Sequence, residues 1–589
     1  MTGIVSSFST IWRLAAPYFY SEDRWPGRIL LAAVIAVELS LVGITVLLTY
    51  WQNSFYNALQ GRDWDVFVSQ LIYFCFLATC ATILQVYKLY LNQWLQIRWR
   101  RWMTREYLNN WLTDSTHYRM QLLGETADNP DQRIAEDIRM FIERTLTIGA
   151  GLMSAIVTLL SFIVILWTLS NAAPFELFGF NITAIPGYLV WAALIYAIAG
   201  TAFTHWIGWP LVPLNFNQQR FEADFRFNLI RVIENSEQIA MLGGEKTESN
   251  RLYSRFSKVV SNWHEIMSRQ KKLTFFTTGY TQVSIVFPII VVSPAYFSGV
   301  IQLGGLVQTS SAFNSVQNSL SFFITIYKDF AEWRAVIARL DGFEHSIAVA
   351  RATNTSQSRV DIETHETQTG LSIEGLSVRL PSGAPLVTSD NIVIESGQHA
   401  LVSGPSGGGK STFFRAIAGL WPFATGKIVV PKGAKLMILP QRPYFPVASL
   451  EEAVIYPAES GQFKCEQIAE VLIAVGLPAL STRLEDEAHW NRILSLGEQQ
   501  RLGIARAILH RPDYLFLDEA SASLDEPAEA RVYRLLHERL PDTTIISIGH
   551  RSTLKVFHHR HLTLHTDGEK KRIGEAAAEP GLMAQPAAS

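Results

Sequence analysis

The segment Gly404-Pro-Ser-Gly-Gly-Gly-Lys-Ser411 indicates the fold of the second half of this 589-residue chain. It has the form G-x-x-x-x-G-K-[ST], follows the β-rich run His399–Ser403 and precedes the apolar stretch Thr412–Leu420. Its glycines let successive backbone N–H groups turn toward a bound triphosphate at the positive end of a helix dipole. The sequence therefore predicts a strand, a phosphate-binding loop and a helix, which together begin an α/β domain.

Charged and hydroxyl side chains complement this loop. Lys410 is expected to reach the β- and γ-phosphates of ATP, and Ser411 to bind Mg²⁺. The apolar run Tyr514–Leu517 ends in Asp518, which can hold Mg²⁺ through water, and Glu519, which can polarise the attacking water. A strand that ends in two carboxylates is more often only a helix cap, so this interpretation depends on the loop. The other predicted ATP-binding residues of the loop are Gly404, Pro405, Ser406, Gly407, Gly408, Gly409 and Thr412.

The pattern of short runs predicts the extent of this soluble domain. In residues 370–566, β-rich runs alternate with helical or loop stretches, which is typical of a mainly parallel sheet. The preceding residues 346–369 are rich in Ser, Thr, Gln and Asn and are predicted to be a linker. The tail 567–589 is rich in Ala, Glu and Pro and is predicted to be disordered.

The first half of the chain is predicted to be an α-helical transmembrane domain. The whole chain is 48% apolar and 17% charged, with a mean hydropathy of +0.14, whereas soluble domains carry about 25% charged residues. Since a spanning helix needs about 20 apolar residues, residues 1–345 are expected to contain six spans and, at 9–20, an interfacial helix. The predicted spans are 29–50, 67–91, 148–169, 188–208, 275–300 and 303–330.

Charge sets the expected orientation and excludes some partners. Most Lys and Arg residues of this half lie between spans two and three and between spans four and five. The positive-inside rule therefore places these connections and both termini in the cytoplasm of a multi-pass membrane protein. A net charge of −2 gives no support for a nucleic-acid partner. Three cysteines, two of them in an apolar run, exclude a disulfide scaffold.

The segment Leu494-Ser-Leu-Gly-Glu-Gln-Gln500 resembles the signature of ATP-binding-cassette (ABC) domains, normally Leu-Ser-Gly-Gly-Gln. The resemblance extends over essentially the whole soluble domain. It implies that Ser495 and Gly497 contact the γ-phosphate of ATP held by an opposite protomer, so that the ATP sites exist only in a dimer. Because this chain carries both faces of the site, a homodimer of two copies is expected.

The same resemblance implies roles for three more residues. Gln441 corresponds to the Q-loop glutamine that joins the Mg²⁺ site to the membrane domain, Asp525 to the D-loop aspartate, and His550 to the switch histidine that contacts the γ-phosphate. His550 alone would more often be a structural histidine, but it directly follows the predicted strand Thr544–Ile548. The sequence departs from the family pattern at Leu496 and Glu498 and at Leu380, near where an aromatic ring normally stacks on adenine.

Further stretches narrow the family; they are Asn129–Asp137, Ile233–Ala240 with Gly243–Lys246, Gly419–Pro422 and Pro440–Tyr444. They resemble the peroxisomal fatty-acyl ABC half-transporters and their bacterial relatives. The form of the signature favours the bacterial branch that includes ATPase-bearing relatives of the SbmA and BacA peptide transporters, called BacA-like or BclA. This resemblance implies an ABC exporter-type fold, a domain-swapped homodimer and cytoplasmic coupling helices. Residues 234–246 are accordingly predicted to be a coupling contact, with an ordinary solvated helix as the alternative.

Polar residues inside the predicted spans bear on the substrate. Gln308, Ser311, Ser315 and Asn318 recur at helical spacing in span six, and Glu38 lies near the middle of span one. Polar groups facing lipid are costly, so these residues should line a wet cavity or form interhelical hydrogen bonds.

A wet cavity suits peptides, including antimicrobial-type peptides, or other bulky polar solutes better than fatty acyl chains. Because some bacterial relatives in the branch that this chain resembles are importers, the leading expectation is ATP-driven import of such solutes across the bacterial inner membrane. Two alternatives stay open at this point. The first is an exporter or flippase of fatty-acyl lipids, and the second is a membrane-anchored ATPase without translocation.

Overall fold

The computed structural model describes residues 2–123, 129–172, 176–177, 180–181, 186–322, 326–355, 360–366, 369–567 and 570–575. It divides into two compact units. The first, the helical unit, comprises Met1–Leu108 and Asn129–Phe343. The second, the ABC unit, comprises Asn109–Asp128 and Glu344–Ser589. The predicted membrane domain 1–345 is therefore interrupted, because Leu122 packs against a hydrophobic core of the ABC unit.

Long helices build the first half of the chain. Apolar side chains of different helices, including Phe162, Leu189, Val292 and Phe313, pack into one buried cluster. Many other apolar side chains remain exposed, as is expected for surfaces that face lipid. The helices up to residue 355 are α1 (Thr2–Tyr20), α2 (Arg24–Gly61), α3 (Trp64–Leu112), α4 (Thr116–Leu123), α5 (Pro130–Gln132), α6 (Ile138–Ala172), α7 (Tyr188–Gly208), α8 (Leu211–Glu234), α9 (Ser236–Met241), α10 (Glu245–Phe297), α11 (Leu303–Leu320) and α12 (Tyr327–Thr355). A short hairpin of β1 (Glu176–Leu177) and β2 (Phe180–Asn181) precedes α7.

Within the described residues, five helical segments are long and apolar enough to cross a membrane. They contain the first four predicted spans and residues 275–297 of the fifth, whose helix ends at Phe297. The sixth predicted span begins as helix α11, which is rich in Ser, Asn and Gln and is not among these five. Part of that span, residues 323–325, lies outside the described part of the chain, so a count of six spans stays a prediction.

The ABC unit is an α/β domain built on one large sheet. Its strands are β3 (Val360–His365), β4 (Gly370–Arg379), β5 (Pro385–Ser389), β6 (Ile392–Glu395), β7 (Ala400–Ser403), β8 (Ala424–Pro431), β9 (Leu436–Leu439), β12 (Tyr514–Asp518), β13 (Thr544–Ile548), β14 (Arg560–Asp567) and β15 (Lys570–Glu575). The short strands β10 (Ala448–Ser449) and β11 (Glu487–Ala488) form a separate pair. The helices are α13 (Lys410–Ile417), α14 (Leu450–Ile455), α15 (Cys465–Ala474), α16 (Trp490–Ile493), α17 (Leu496–His510) and α18 (Glu526–Arg539).

The register of the parallel strands positions the functional residues. The order β14–β7–β13–β12–β9 is parallel throughout. The carboxyl ends of β7, β12 and β13 therefore lie at one edge of the sheet, and ligands bind at such edges in open α/β sheets. A hydrophobic core that includes Phe413, Phe414 and Phe516 anchors α13 against the sheet. The predicted fold class, a helical transmembrane domain joined to an ABC α/β domain, is confirmed.

Two predicted boundaries differ from the structure. In the predicted linker 346–369, helix α12 continues to Thr355 and strand β3 pairs in parallel with β8. Ile347 and Ala350 are buried and stabilise the end of this helix, although the polar composition of the stretch is typical of a loop. In the predicted disordered tail 567–589, residues 570–575 form β15, which pairs with β14 and β5 and buries Ile573 completely. Residues 576–589 lie outside the described part.

Candidate nucleotide-binding site

The phosphate-binding loop connects the end of β7 to the start of α13. Gly409, which directly precedes the helix, has φ of 98°, a conformation that favours glycine. A Cβ on Gly408 would lie 2.4 Å from a methyl carbon of Leu564 on β14 and 2.9 Å from the carbonyl oxygen of Pro405. The loop can therefore follow this path only with glycine at both positions, which explains the sequence pattern locally.

Lys410 lies inside this loop. Its Nζ donates to the carbonyl oxygens of Gly404 and Pro405, at 2.9 Å each, and lies 3.4 Å from Nε2 of His550. Burial lowers the pKa of Lys410, while the nearby carboxylates of Glu519 and Asp518 raise it. Two backbone carbonyl groups thus hold the ammonium group at the loop, where a phosphate chain would find both charge and N–H donors.

Ser411 and Asp518 bring hard oxygen ligands together. The hydroxyl group of Ser411 donates to Oδ1 of Asp518 at 2.8 Å. Burial raises the pKa of Asp518, and the hydrogen bond from Ser411 partly opposes this shift. Hydroxyl and carboxylate oxygens are the ligands that Mg²⁺ prefers, so this pair fits a magnesium ion held together with substrate phosphates.

Glu519 lies between two predicted partners. Its backbone has φ of 53°, a strained conformation for this residue, which turns the chain sharply at the end of β12. Nε2 of Gln441 donates to Oε2 of Glu519 at 3.3 Å, and Nε2 of His550 lies 3.3 Å from Oε1. The structure therefore brings together Gln441, Glu519 and His550, which lie far apart in sequence.

Gln500 is a site-supporting residue that the sequence reasoning missed. Only 1% of Gln500 is exposed. Its Nε2 donates to the carbonyl oxygens of Gln441 at 3.1 Å and Glu519 at 3.4 Å, and its Oε1 accepts from the backbone N–H of Ser523 at 3.0 Å. The sequence offers one signal for this role: Gln500 lies among apolar positions of α17 that are predicted to be buried. A buried amide needs several hydrogen-bond partners, so such a glutamine indicates a structural contact.

The signature residues lie at the start of α17. Ser495 caps this helix, and its partner is Glu498, one of the departures from the family pattern. Asp525 caps α18 in the same way, because its Oδ1 accepts from the N–H of Ala528 at 2.7 Å. In the described part of the chain, no hydrogen bond joins Ser495 or Gly497 to the phosphate-binding loop.

The polar residues predicted in the membrane domain fall into two groups. Glu38 is 5% exposed and lies 2.6 Å from Nζ of Lys88 on α3, while Gln308 is 2% exposed and accepts from Nδ2 of Asn53 on α2. These two side chains are engaged within the helical bundle, as the interhelical alternative predicts. Ser311 and Ser315 are half-buried and Asn318 is exposed, so they stay candidates for a wet surface.

The predicted coupling segment is a short exposed helix, α9. The apolar side chains that flank it are largely open to solvent: Ile233 is 73%, Met241 76% and Leu242 84% exposed. Exposed apolar side chains of this size support a protein-binding role for the segment, and the coupling contact stays a prediction.

Comparison with known proteins defines the class. The family "ABC transporter transmembrane region 2" matches residues 14–297, and the family "ABC transporter" matches residues 387–522. The inner membrane ABC transporter ATP-binding protein YddA of Escherichia coli is 35% identical over 91% of this chain and 94% of its own length. ABC transporter D family member 2, chloroplastic, of Arabidopsis thaliana is 34% identical over 98% of this chain and 90% of its own.

Two more distant matches add detail. The lysosomal cobalamin transporter ABCD4 of Mus musculus is 26% identical over 96% of this chain and 95% of its own length. The structure of a bacterial Atm1-family ABC exporter with ATP bound has a TM-score of 0.70 and 16% identity, over 91% of this chain and 93% of the other. The last likeness shows the fold alone.

This chain belongs to the ABC transporter family. It is a half-transporter with one membrane domain and one ABC domain, and its relatives include D-family proteins and bacterial D-like proteins. It is an ATPase that couples ATP hydrolysis to transport. It is also a multi-pass inner-membrane protein with a cytoplasmic ABC domain.

Proposed function

We propose that two copies of this chain form an ATP-driven importer of peptides or other bulky polar solutes. The observation that carries the proposal is helix α11, an 18-residue helix rich in Ser, Asn and Gln, in a bundle with five helical segments that are apolar enough to cross a membrane. Gln308 is engaged by α2, whereas Ser311, Ser315 and Asn318 retain accessible surface. Such groups are stable beside water or polar cargo and unstable against lipid or acyl chains.

A dimer is supported by three features. Half-transporters of this family typically dimerise. Within the described residues, no hydrogen bond joins Ser495 or Gly497 to the phosphate-binding loop of their own chain. The exposed apolar side chains around α9 also need a protein surface to cover them. A second copy supplies both, since it carries a phosphate-binding loop and an ABC unit of its own.

In the proposed site each charged group has one task. Lys410 neutralises phosphate charge, and Ser411 and Asp518 hold Mg²⁺ at the phosphates. Bound Mg²⁺ would supply charge neutralisation on the phosphoryl oxygens. Glu519 orients the attacking water and accepts its proton, with Gln441 and His550 holding the carboxylate from two sides at 3.3 Å.

The nature of the substrate is supported by one relative. The D-family relative from Mus musculus is named as a cobalamin transporter, and cobalamin is a bulky polar molecule. Because that relative matches 96% of this chain, the comparison covers the membrane domain as well as the ABC domain. Peptides of several residues are a similar cargo in size and polarity.

The test uses the full chain in liposomes, with MgATP added only outside. Only molecules whose ABC domain faces outward are then energised, so an importer empties the lumen and an exporter fills it. We expect a labelled cationic peptide loaded inside to leave on addition of ATP. The Glu519→Gln variant should stop this release, and Glu538→Gln, an exposed carboxylate of the same domain, should leave it intact.

Other outcomes select the alternatives. Filling of the lumen with an acyl-CoA, without peptide release, would replace the proposal by a lipid exporter or flippase. ATP turnover without movement of either compound would support a membrane-anchored ATPase. Peptide release by the Glu519→Gln variant at the wild-type rate would exclude ATP hydrolysis as the driving force.

A further inference from the structure

A cationic cavity lies between helices α8 and α10, outside the nucleotide site. We define the cationic cavity by the residues that line it: Asn228, Arg251, Ser254, Arg255 and Lys258. Its volume is about 460 Å³, within the range of about 300–1,000 Å³ of small-molecule sites. Asn228 comes from α8 and the other four residues from α10.

The lining residues of α10 share one face of the helix. Positions 251, 254, 255 and 258 follow the spacing i, i+3, i+4 and i+7, which brings side chains to the same side. Like charges at such spacing repel each other and destabilise a helix. The repulsion among these three cations therefore destabilises the helix, and a bound anion would relieve it.

Little negative charge compensates these cations. Oε1 of Glu248 lies 2.9 Å from Nη1 of Arg251, and the Arg251 side chain still remains 70% exposed. Among the residues that the structure describes, no carboxylate pairs with Arg255 or Lys258. Asn228 is held by a hydrogen bond from its Nδ2 to the carbonyl oxygen of Asp224, at 2.7 Å, so its side chain is fixed at the wall of the cavity.

The distance from the membrane limits the possible ligands. With a rise of about 1.5 Å per residue, Lys258 lies about 26 Å and Arg251 about 36 Å along α10 from Phe275, where the apolar part begins. A lipid headgroup does not reach this far from the bilayer. The positive-inside rule places this part of the hairpin in the cytoplasm, so the available anions are soluble cytoplasmic ones.

From this arrangement we infer that the cationic cavity binds a soluble anion with two or more phosphate groups. Two guanidinium groups offer paired N–H donors that match phosphate oxygens, and Lys258 adds a point charge. The hydroxyl group of Ser254 lies among them as a further donor. A concave site lined by one sign of charge also concentrates the field on a multiply charged ligand.

The test is calorimetric titration of the full-length detergent-solubilised chain with tripolyphosphate, in Mg²⁺-free buffer. The background carries Lys410→Ala, which removes the main cation of the nucleotide site, so that heat reports on other sites. We expect saturable binding that weakens at least about tenfold in Arg255→Gln/Lys258→Gln, because two charge-assisted contacts are lost. The matched control, Arg269→Gln/Lys272→Gln, removes the same charge from exposed positions of the same helix.

Two results would overturn the inference. One is no saturable binding in the Lys410→Ala background. The other is equal weakening by the cavity variant and the control, which would indicate a non-specific response to net charge. MgATP binding by the cavity variant with Lys410 intact shows whether that variant is folded. Neither result depends on which solute is transported or in which direction.

Discussion

Ser495 and Glu498 form a reciprocal capping pair at the start of helix α17. The backbone N–H and the hydroxyl group of Ser495 both donate to Oε2 of Glu498, at 2.9 and 2.7 Å, and Oγ of Ser495 lies 3.4 Å from the N–H of Glu498. These hydrogen bonds lower the pKa of Glu498. The hydroxyl group that is expected to meet the γ-phosphate of a partner chain is therefore already committed to a carboxylate.

Replacing this carboxylate should favour nucleotide-dependent closure. In Glu498→Gln a neutral amide oxygen holds the hydroxyl group less strongly, and one negative charge near the triphosphate is removed. We expect the KM of ATP hydrolysis for MgATP to fall about two- to tenfold at similar kcat, as for a gain of about 0.4–1.4 kcal/mol. The measurement is steady-state ATPase activity across MgATP concentrations.

The control for this prediction is Glu466→Gln, which makes the same change in the first turn of α15 at an exposed position. Gln also serves at the third position of a capping box, so the helix itself should lose little stability. An unchanged or higher KM in Glu498→Gln would show that the carboxylate does not restrain Ser495.

Removing the Gln500 side chain should damage both stability and turnover. Gln500→Ala removes the buried side-chain amide that hydrogen-bonds the carbonyl oxygens of Gln441 and Glu519 and the N–H of Ser523. These three backbone groups then lose that partner. We expect a loss of about 1–3 kcal/mol in unfolding free energy. We also expect kcat for ATP to fall more than the affinity for MgATP, because the position of Glu519 is disturbed.

Thermal unfolding of the full chain and ATPase kinetics check this prediction. Gln462→Ala, at an exposed position, is the control and should change neither quantity. Wild-type kcat in a destabilised Gln500→Ala protein would mean that Gln500 supports the fold but not the position of Glu519.

Acid should destabilise the ABC unit through buried neutral histidines. Burial lowers the pKa of His399 to about 4 and that of His558 to about 4. His399 accepts a hydrogen bond from the N–H of Ile545 at 3.1 Å, and this needs an unprotonated Nδ1. Since the folded-state pKa values lie below the ordinary value of about 6.5, the unfolded chain binds more protons between these values. Stability is therefore full above pH 6.5 and is lost as the pH falls toward 4.

We expect the free energy of unfolding at pH 5 to be lower than at pH 7 by about 2 kcal/mol for each of the two histidines. Unfolding of the chain as a function of pH measures it. His558→Gln should reduce this pH dependence, whereas the exposed control His489→Gln should not. Equal pH dependence in wild type and His558→Gln would contradict the assignment.

The Glu38–Lys88 pair should behave as a structural ion pair. Glu38→Gln leaves Lys88 without its carboxylate partner at 2.6 Å. We expect the unfolding free energy to fall by about 1–3 kcal/mol. The loss is smaller than for a fully buried pair, because the Lys88 side chain is 30% exposed and water can partly solvate its charge. Glu38→Gln/Lys88→Met removes both charges and should recover much of that loss. Apparent unfolding temperatures in detergent measure the coupling.

Peptide transport distinguishes a second role for this pair. If the double variant is stable and still transports peptide, the two residues serve the bundle alone. If it is stable and inactive, Glu38 takes part in transport. A single variant as stable as wild type would contradict the ion pair itself.

Local patterns in the sequence were sufficient for much of the site and fold class. The phosphate-binding loop, the strand that ends in Asp518 and the signature at Ser495 are contiguous, and each owes its chemistry to backbone geometry over a few residues. The membrane spans can likewise be recognised from contiguous residues, because a bilayer requires each spanning helix to be long and apolar by itself. The family comparison agrees with these features.

Contacts between distant segments could not be predicted in this way. Gln500 holds Gln441 and Glu519 together, β15 completes the sheet through Ile573, and Lys88 neutralises Glu38. In each case the residue type is ordinary and its role depends on a partner far along the chain. Local patterns along the chain are thus enough to predict which chemistry this protein carries and that it spans a membrane. Which polar side chains are engaged inside the protein, and which stay available to a ligand, depends on the three-dimensional packing, because burial and pairing arise when separate segments pack together.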